Sequence, residues 1–329
     1  MEVFSPEGPP KVWLHYHAVT VLEGLYQTHQ LIEDLGERQL AGSKKALSFF
    51  RFRNGIFRRQ IYQRLNAVQK RRLHNRVGTC LEEIYGEERL GISSQLAEHF
   101  RIAHNWDKAL CYSVQAAEGL KSSIAQREAK RHYRFALEAW QLASDRDLKL
   151  KARLLNGLGT ALMSGGEYDE AIAAFEQVLN LDRANVPAAE RGYALHRLGY
   201  ANHSRGDTHK AVLYFNKYES LIKDLGWDAR LLLQVSIDLS SAFLDLWKDA
   251  CVWSVQTNEK YYRKETTQYL KKVRYEAEQV GEWEILRVAY LLTGDVMLSI
   301  TSVRLQVEQN QLVAVLIGIV LGSRGFECP

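Results

Sequence analysis

Residues 158–179, LGTALMSGGEYDEAIAAFEQVL, and residues 198–219, LGYANHSRGDTHKAVLYFNKYE, carry one pattern at a constant offset of 40. Leu158-Gly159, Gly166, Ala171 and Phe175 return as Leu198-Gly199, Gly206, Ala211 and Phe215, while Tyr168 and Leu179 give way to Thr208 and Glu219. Small residues let two helices cross closely, a glycine makes the turn between them, and an aromatic ring fills the seam with the next pair. Agreement at so many positions in fixed register predicts a stack of helix pairs, an all-α fold of the α-solenoid kind. Only five prolines occur, none between Lys11 and Val186, which leaves that long stretch free to be helical.

The pattern extends outward from this pair. A weaker copy lies upstream, with Leu96-Ala97, Phe100, His104, Trp106, Ala109 and Ala116 in LAEHFRIAHNWDKALCYSVQAA. Ala129, Tyr133 and Ala136 have the spacing of the second helix of another unit. Beyond Asp228 the repeat fades but helical periodicity persists, and EQVGEWE at 278–284 resembles the turn between paired helices. The ending, QNQLVAVLIGIVLGSRGFECP, has neither repeat spacing nor a polar capping face, which predicts an atypical, truncated C-terminus.

Towards the N-terminus the character changes. Residues 11–40 place Val19, Leu22, Leu25 and Tyr26, then Leu31, Ile32 and Leu35, at spacings of three and four, predicting one or two amphipathic helices with Gly36 ending the second. ALSFFRFR, residues 46–53, alternates apolar with basic residues as a short strand or wing does. Helical spacing returns from Asn54 (Ile56, Ile61, Leu65), where the helix also carries apolar residues for a core of its own, and breaks at Gly86. The predicted organisation is therefore a basic winged-helix-like module over 1–85, repeats over 86–225, and further helical pairs over 226–329.

Composition narrows the class. Hydrophobic residues at 46% and charged residues at 25% are those of a globular protein. Cys80, Cys111, Cys251 and Cys328 have no paired spacing, so neither a disulfide framework nor a zinc knuckle is indicated. MEVFSPEGPPK lacks the apolar core of a secretory signal. The longest apolar run, Leu312 to Leu321, is half of what a membrane span needs, and a cytoplasmic location is expected. The net charge of +4 is unevenly spread: residues 38–81 hold twelve Lys or Arg and no Asp or Glu. Such a face suits nucleic acid or an acidic neighbouring domain.

The order of these segments resembles a known family. Phe50 to Leu65 (FRFRNGIFRRQIYQRL), Arg71-Arg72-Leu73-His74, Leu81 to Tyr85 (LEEIY), Leu96 to Ala117 and Ala129 to Leu137 are together similar to the region that follows the nucleotide-binding domain in bacterial STAND-type signal-transduction ATPases. That resemblance implies a winged-helix-like module leading into tetratricopeptide repeats, in the sensor or regulatory arm of a signalling or transcription-regulating system. Two departures stand out. Asn54 occupies a place where the family usually has histidine, and no GxxxxGK[ST] is present, so ATP hydrolysis by this chain is not implied.

No cofactor, metal or catalytic site is expected. There is no HExxH or GxSxG; His196 and His203 lie two turns apart with no carboxylate nearby in sequence, and Glu82-Glu83 and Glu87-Glu88 point to different helix faces. Two binding surfaces remain. Repeat geometry places Asn156, Thr160, Met163, His196, Tyr200 and His203 as exposed inner positions of a groove for a protein or peptide segment. Arg51, Arg53, Arg58, Arg59, Arg64, Lys70, Arg71 and Arg72 form the basic face.

Overall fold

The computed structural model describes Val21 and residues 24–39, 46–86, 91–119, 126–226, 228–252 and 256–295. The apolar run at 312–321, the start of the helix expected around Val19 to Tyr26 and the atypical C-terminus lie outside them. The chain divides into two compact units, Met1–Arg146 and Asp147–Pro329.

In the first unit a short π-helical turn, Gly24–Thr28, leads into strand β1, Ile32–Gln39, paired antiparallel with β2, Ala46–Phe52. The expected strand at ALSFFRF is present. Its partner corrects the sequence reading, which placed Leu31, Ile32 and Leu35 on a helix. A short apolar run fits either period, and the hydrogen-bond ladder supplied by β2 decides for a strand. Ile32 faces inward at 3% exposed while Leu35 is exposed. The register slips between Asp34 and Glu37, where Gly36 adopts φ +76 and donates its amide to Asp34 Oδ1 at 2.8 Å. Glu33 opposes Arg51 across the ladder and forms an ion pair with it.

Helix α1, Gly55–Arg64, starts where the Asn54 side chain accepts the Ile56 amide at 2.8 Å. The residue that departs from the resembled family thus serves as a helix cap. Contrary to the expectation that this helix carries its own core, none of its residues is buried. Tyr62 holds it to the next helix, its hydroxyl 2.9 Å from His74 Nε2. Helix α2, Ala67–Tyr85, opens with a reciprocal cap between Asn66 and Gln69 and stops at Gly86, as predicted. It packs on α3, Ser93–Ile102, through Gly78: a Cβ there would lie 2.9 Å from the Phe100 ring. Phe100 is fully buried and stacks on Tyr112 of α4, Trp106–Gly119, which donates to Glu82 at 2.6 Å. Helix α5, Gln126–Leu142, completes the unit with Ala129, Ala136 and Trp140 inward.

His132, on α5, is fully buried, and neither ring nitrogen meets a hydrogen-bond partner. Burial pushes its imidazole below the ordinary histidine value, with the Arg131 charge acting the same way. His74 and His99, whose Nδ1 atoms face each other at 2.9 Å, are lowered mainly by burial as well. A histidine depressed in the folded state binds its proton more readily when unfolded, so folding stability falls as pH drops below about 6.5. Melts of the full chain between neutral and mildly acidic pH should show this slope, and His132→Phe should flatten it; an unchanged slope would remove His132 from the account.

Among its described residues the second unit is built from helices: α6, Leu148–Ser164; α7, Tyr168–Asn180; α8, Ala188–Arg205; α9, Thr208–Leu225; α10, Ala229–Val252; α11, Gln256–Val280; and α12, residues 283–295. Each of α6 to α10 packs on its successor, and α10 on α11. The repeated residues do what their spacing implied. A Cβ at Gly159 would lie 2.6 Å from the Phe175 ring, and one at Gly199 would fall inside the contact distance of Phe215. Phe175, Ala171, Phe215 and Ala211 are all buried to within 1%. The turns at Gly166 and Gly206 take φ +76 and +90, values that suit glycine. Gly281, in the predicted EQVGEWE turn, takes φ +76. Two apolar clusters follow along the unit, one around Phe215, Ile222 and Phe243, the other around Trp247, Val273 and Ile285.

Candidate binding cleft and basic face

The side chains that face the interior of the second unit converge on one carboxylate. Asp238, on α10 and 6% exposed, accepts from the Tyr200 hydroxyl at 2.6 Å and from the Gln234 amide at 3.3 Å, and lies 2.8 Å from His196 Nε2. Three donors around a nearly buried carboxylate satisfy its lone pairs and fix the rings that supply them. The His196 ring is held further by Tyr200, edge-on at 4.9 Å, and by Tyr218 at 4.9 Å. Burial and then the Asp238 charge push the Tyr200 phenol well above the ordinary tyrosine value, which keeps it a donor; the same two causes raise Tyr218. Two turns along, His203 Nε2 sits 2.7 Å from Asp245 Oδ2, with Lys248 3.8 Å from the other oxygen. Two His–Asp pairs therefore join α8 to α10 side by side.

Next to them opens a cleft of ≈ 250 Å³. Phe215, Ile237, Val288 and Leu292 form its apolar wall, and Tyr200, His203, Gln234, Asp238 and Ser241 its polar side. An apolar wall with a few fixed polar groups is the common form of a site for a small ligand or a side chain.

The predicted groove residues divide by element. Tyr200 and His203 line the cleft and His196 stands behind it, braced on Asp238. Asn156, Thr160 and Met163 belong to α6. Asn156 is not exposed as expected: at 3% it is buried, its amide donating to the Glu190 carbonyl at 3.0 Å and to the Glu190 carboxylate at 2.8 Å. Thr160 donates to the Asn156 carbonyl at 2.9 Å and lies 2.9 Å from the Tyr193 hydroxyl; Met163 is half-buried. Helix-to-helix packing within the stack turns these positions toward the next inner helix. Sequence reasoning also missed the carboxylates, because Asp238 and Asp245 lie 42 residues beyond their histidines. The signal was there: a seven-residue interval in each helix, two apart in the stack.

The basic face lies in the first unit. Arg53, Arg58, Arg59, Arg64, Arg71 and Arg72 are exposed, and Lys70 Nζ stands 5.0 Å above the Tyr62 ring. Of the eight residues, Arg51 alone is ion-paired among the described residues. Ile56, at 64% exposed, and Phe57, Ile61, Val68 and Leu73 are exposed on the same two helices. Among the described residues no three His, Cys, Asp or Glu come together as a metal site, and no described helix is long and apolar enough to cross a membrane.

Comparison with known proteins agrees with the repeat reading. A family model for the tetratricopeptide repeat matches residues 125–184 and 152–224, and the second match contains both copies first read in the sequence. No curated protein matches the chain. Among solved structures, a Podospora anserina kinesin light chain protein of nearly identical TPR-like repeats is 15% identical, with 68% of this chain and 96% of that one covered and a TM-score of 0.41. Aspartyl phosphate phosphatase F from Bacillus subtilis is 13% identical, covering 93% and 74% with a TM-score of 0.43. A Rap protein complexed with competence and sporulation factor is 14% identical, covering 74% and 78% with a TM-score of 0.34.

Proposed function

We propose that the chain is a protein-binding arm without a catalytic site of its own, whose second-unit cleft receives an internal segment of a partner protein. The observation that carries this reading is the cleft itself: an apolar wall of Ile237, Val288 and Leu292 faces polar groups already oriented by Asp238. Such a site rewards a large apolar side chain and offers Ser241 and His203 to the backbone around it. Together with the segment order of the STAND-type ATPases, the cleft supports a role as the cytoplasmic sensor or regulatory arm of a bacterial signalling system. The two-stranded ribbon ahead of the basic helices is consistent with a winged-helix-like module at residues 1–85.

The test is selection of random peptides displayed on phage against the full chain. Enriched sequences should share a large apolar residue, and Val288→Trp, which fills the cleft, should weaken them about tenfold or more while leaving the melting temperature near that of the parent. Peptides that bind the filled variant equally well would remove the cleft from the proposal.

One observation favours a second reading. Among the described residues the basic face is ion-paired only at Arg51, and Arg58, Arg59 and Arg64 sit on α1, a helix with nothing buried, so the face is available to nucleic acid or to an acidic neighbouring domain. Arg58→Glu with Arg59→Glu would abolish either contact; only nucleic-acid binding would be seen with isolated DNA.

A further inference from the structure

The outer helix α11 carries a seam that the repeat reading leaves unexplained. Tyr261, Lys264, Gln268, Lys271 and Tyr275 follow one another at steps of three, four, three and four, the interval that keeps residues on one helix face. All five are exposed, Tyr261 at 53% and Tyr275 at 67%. In a helix meant to pack against another, this seam would be apolar. Here it is cationic in the middle and aromatic at both ends.

The surroundings strengthen the charge. Lys260, Arg263 and Thr267 flank the seam, and with Lys264, Gln268 and Lys271 they line a shallow groove of ≈ 540 Å³ that has no carboxylate among its described lining residues. Lys260, Lys264 and Lys271 form no ion pair among the described residues, whereas neighbouring Lys272 leans toward Glu219 at 3.8 Å. Arg263 is placed over the Trp247 ring at 5.8 Å, which steadies that edge of the groove. The helix carries four acids, none of them among the described lining of the groove: Glu265 lines a separate pocket with Glu219 and Lys223, Glu259 and Glu276 are half-buried, and Glu278, which follows Tyr275 on the face of the seam, accepts from the Tyr290 hydroxyl at 3.3 Å.

We propose that this face of α11 binds single-stranded nucleic acid, the lysines holding the phosphates and the two tyrosines stacking unpaired bases. Cations alone would suit any polyanion. The tyrosine rings separate the candidates, since a base presents a flat π face to stack on and an acidic peptide or a lipid headgroup does not. Gln268 and Thr267, between the lysines, offer neutral hydrogen bonds to sugar or phosphate. A duplex hides its base faces, so the seam selects single strands.

The experiment is fluorescence anisotropy of the full chain with labelled oligothymidylate and oligouridylate of about 12 nucleotides. The four cations of the groove, Lys260, Arg263, Lys264 and Lys271, each on a phosphate, predict affinity falling about 50-fold between about 50 and about 200 mM salt. Lys264→Glu with Lys271→Glu should abolish binding, and Tyr275→Ala should weaken it about tenfold while Tyr275→Trp retains it. All these residues are exposed, so the circular dichroism melt should not move. Arg58→Glu with Arg59→Glu, on the first unit, should leave oligonucleotide binding intact. Absence of binding overturns the proposal, as does binding that the first-unit variant alone removes. Equal competition by polyglutamate or by vesicles of phosphatidylcholine and phosphatidylserine, with Tyr275→Ala neutral, would assign the face to an acidic protein or a membrane and overturn it too.

Discussion

Phe215→Ala lowers the stability of the second unit by about 3–5 kcal/mol, read from urea unfolding followed by circular dichroism. The ring is 1% exposed, lies edge-on to Tyr200 at 5.6 Å and closes over the bare backbone of Gly199. Truncation therefore leaves a cavity that the helices cannot collapse into, because each is pinned by its neighbours. The reverse change tests the same contact from the other side. Gly199→Ala would ordinarily stabilise a helix by about 1 kcal/mol, but here the new methyl meets the Phe215 ring, and a net loss of about 1–2 kcal/mol is expected. Combining Gly199→Ala with Phe215→Leu should recover part of that loss, a coupling that unrelated sites would not show.

Asp238→Ala has the next largest effect, a loss of about 3–5 kcal/mol. It strips the acceptor from Tyr200, Gln234 and His196 at once and leaves their polar atoms inside the stack without a partner. Asp238→Asn keeps one acceptor oxygen and should cost about 1–3 kcal/mol. A spectroscopic readout separates this role from mere packing. Burial and the Asp238 charge both hold the Tyr200 phenol up, so its stabilising contribution is complete below about pH 10 and disappears as the pH climbs beyond it. In Asp238→Asn the phenol should ionise closer to its ordinary value, seen as tyrosinate absorbance appearing at lower pH. An unchanged absorbance titration would mean that the carboxylate does not govern the tyrosine.

The repeat architecture was legible because its signals are local and redundant. Gly159 and Phe175, Gly199 and Phe215, Gly166 and Gly206 each state one packing requirement, and the second copy confirms the first. The strand at 32–39 was not legible, because the spacing of Leu31, Ile32 and Leu35 satisfies a helix and only the ladder with β2, supplied from further along the chain, decides. The cleft was half legible. Tyr200 and His203 could be placed from one repeat, but Asp238, Asp245, Val288 and Leu292 come from helices where the repeat pattern has faded. Asn156 was misplaced for a related reason: an inner helix position counts as open only when the next inner helix leaves it room, and Glu190 does not.

The Gly–Phe contacts at 159/175 and 199/215 are nearly the same lock and key, cut twice in one chain. During folding either ring could seat in the other's socket, pairing the helices one repeat out of step with little apolar area lost. The polar contacts are not duplicated: Asn156 finds Glu190, while His196 and Tyr200 find Asp238. Any slipped assembly would bury these groups without their mates, at a cost of several kcal/mol. The hydrogen bonds thus serve as addresses, telling otherwise interchangeable repeats which neighbour is theirs.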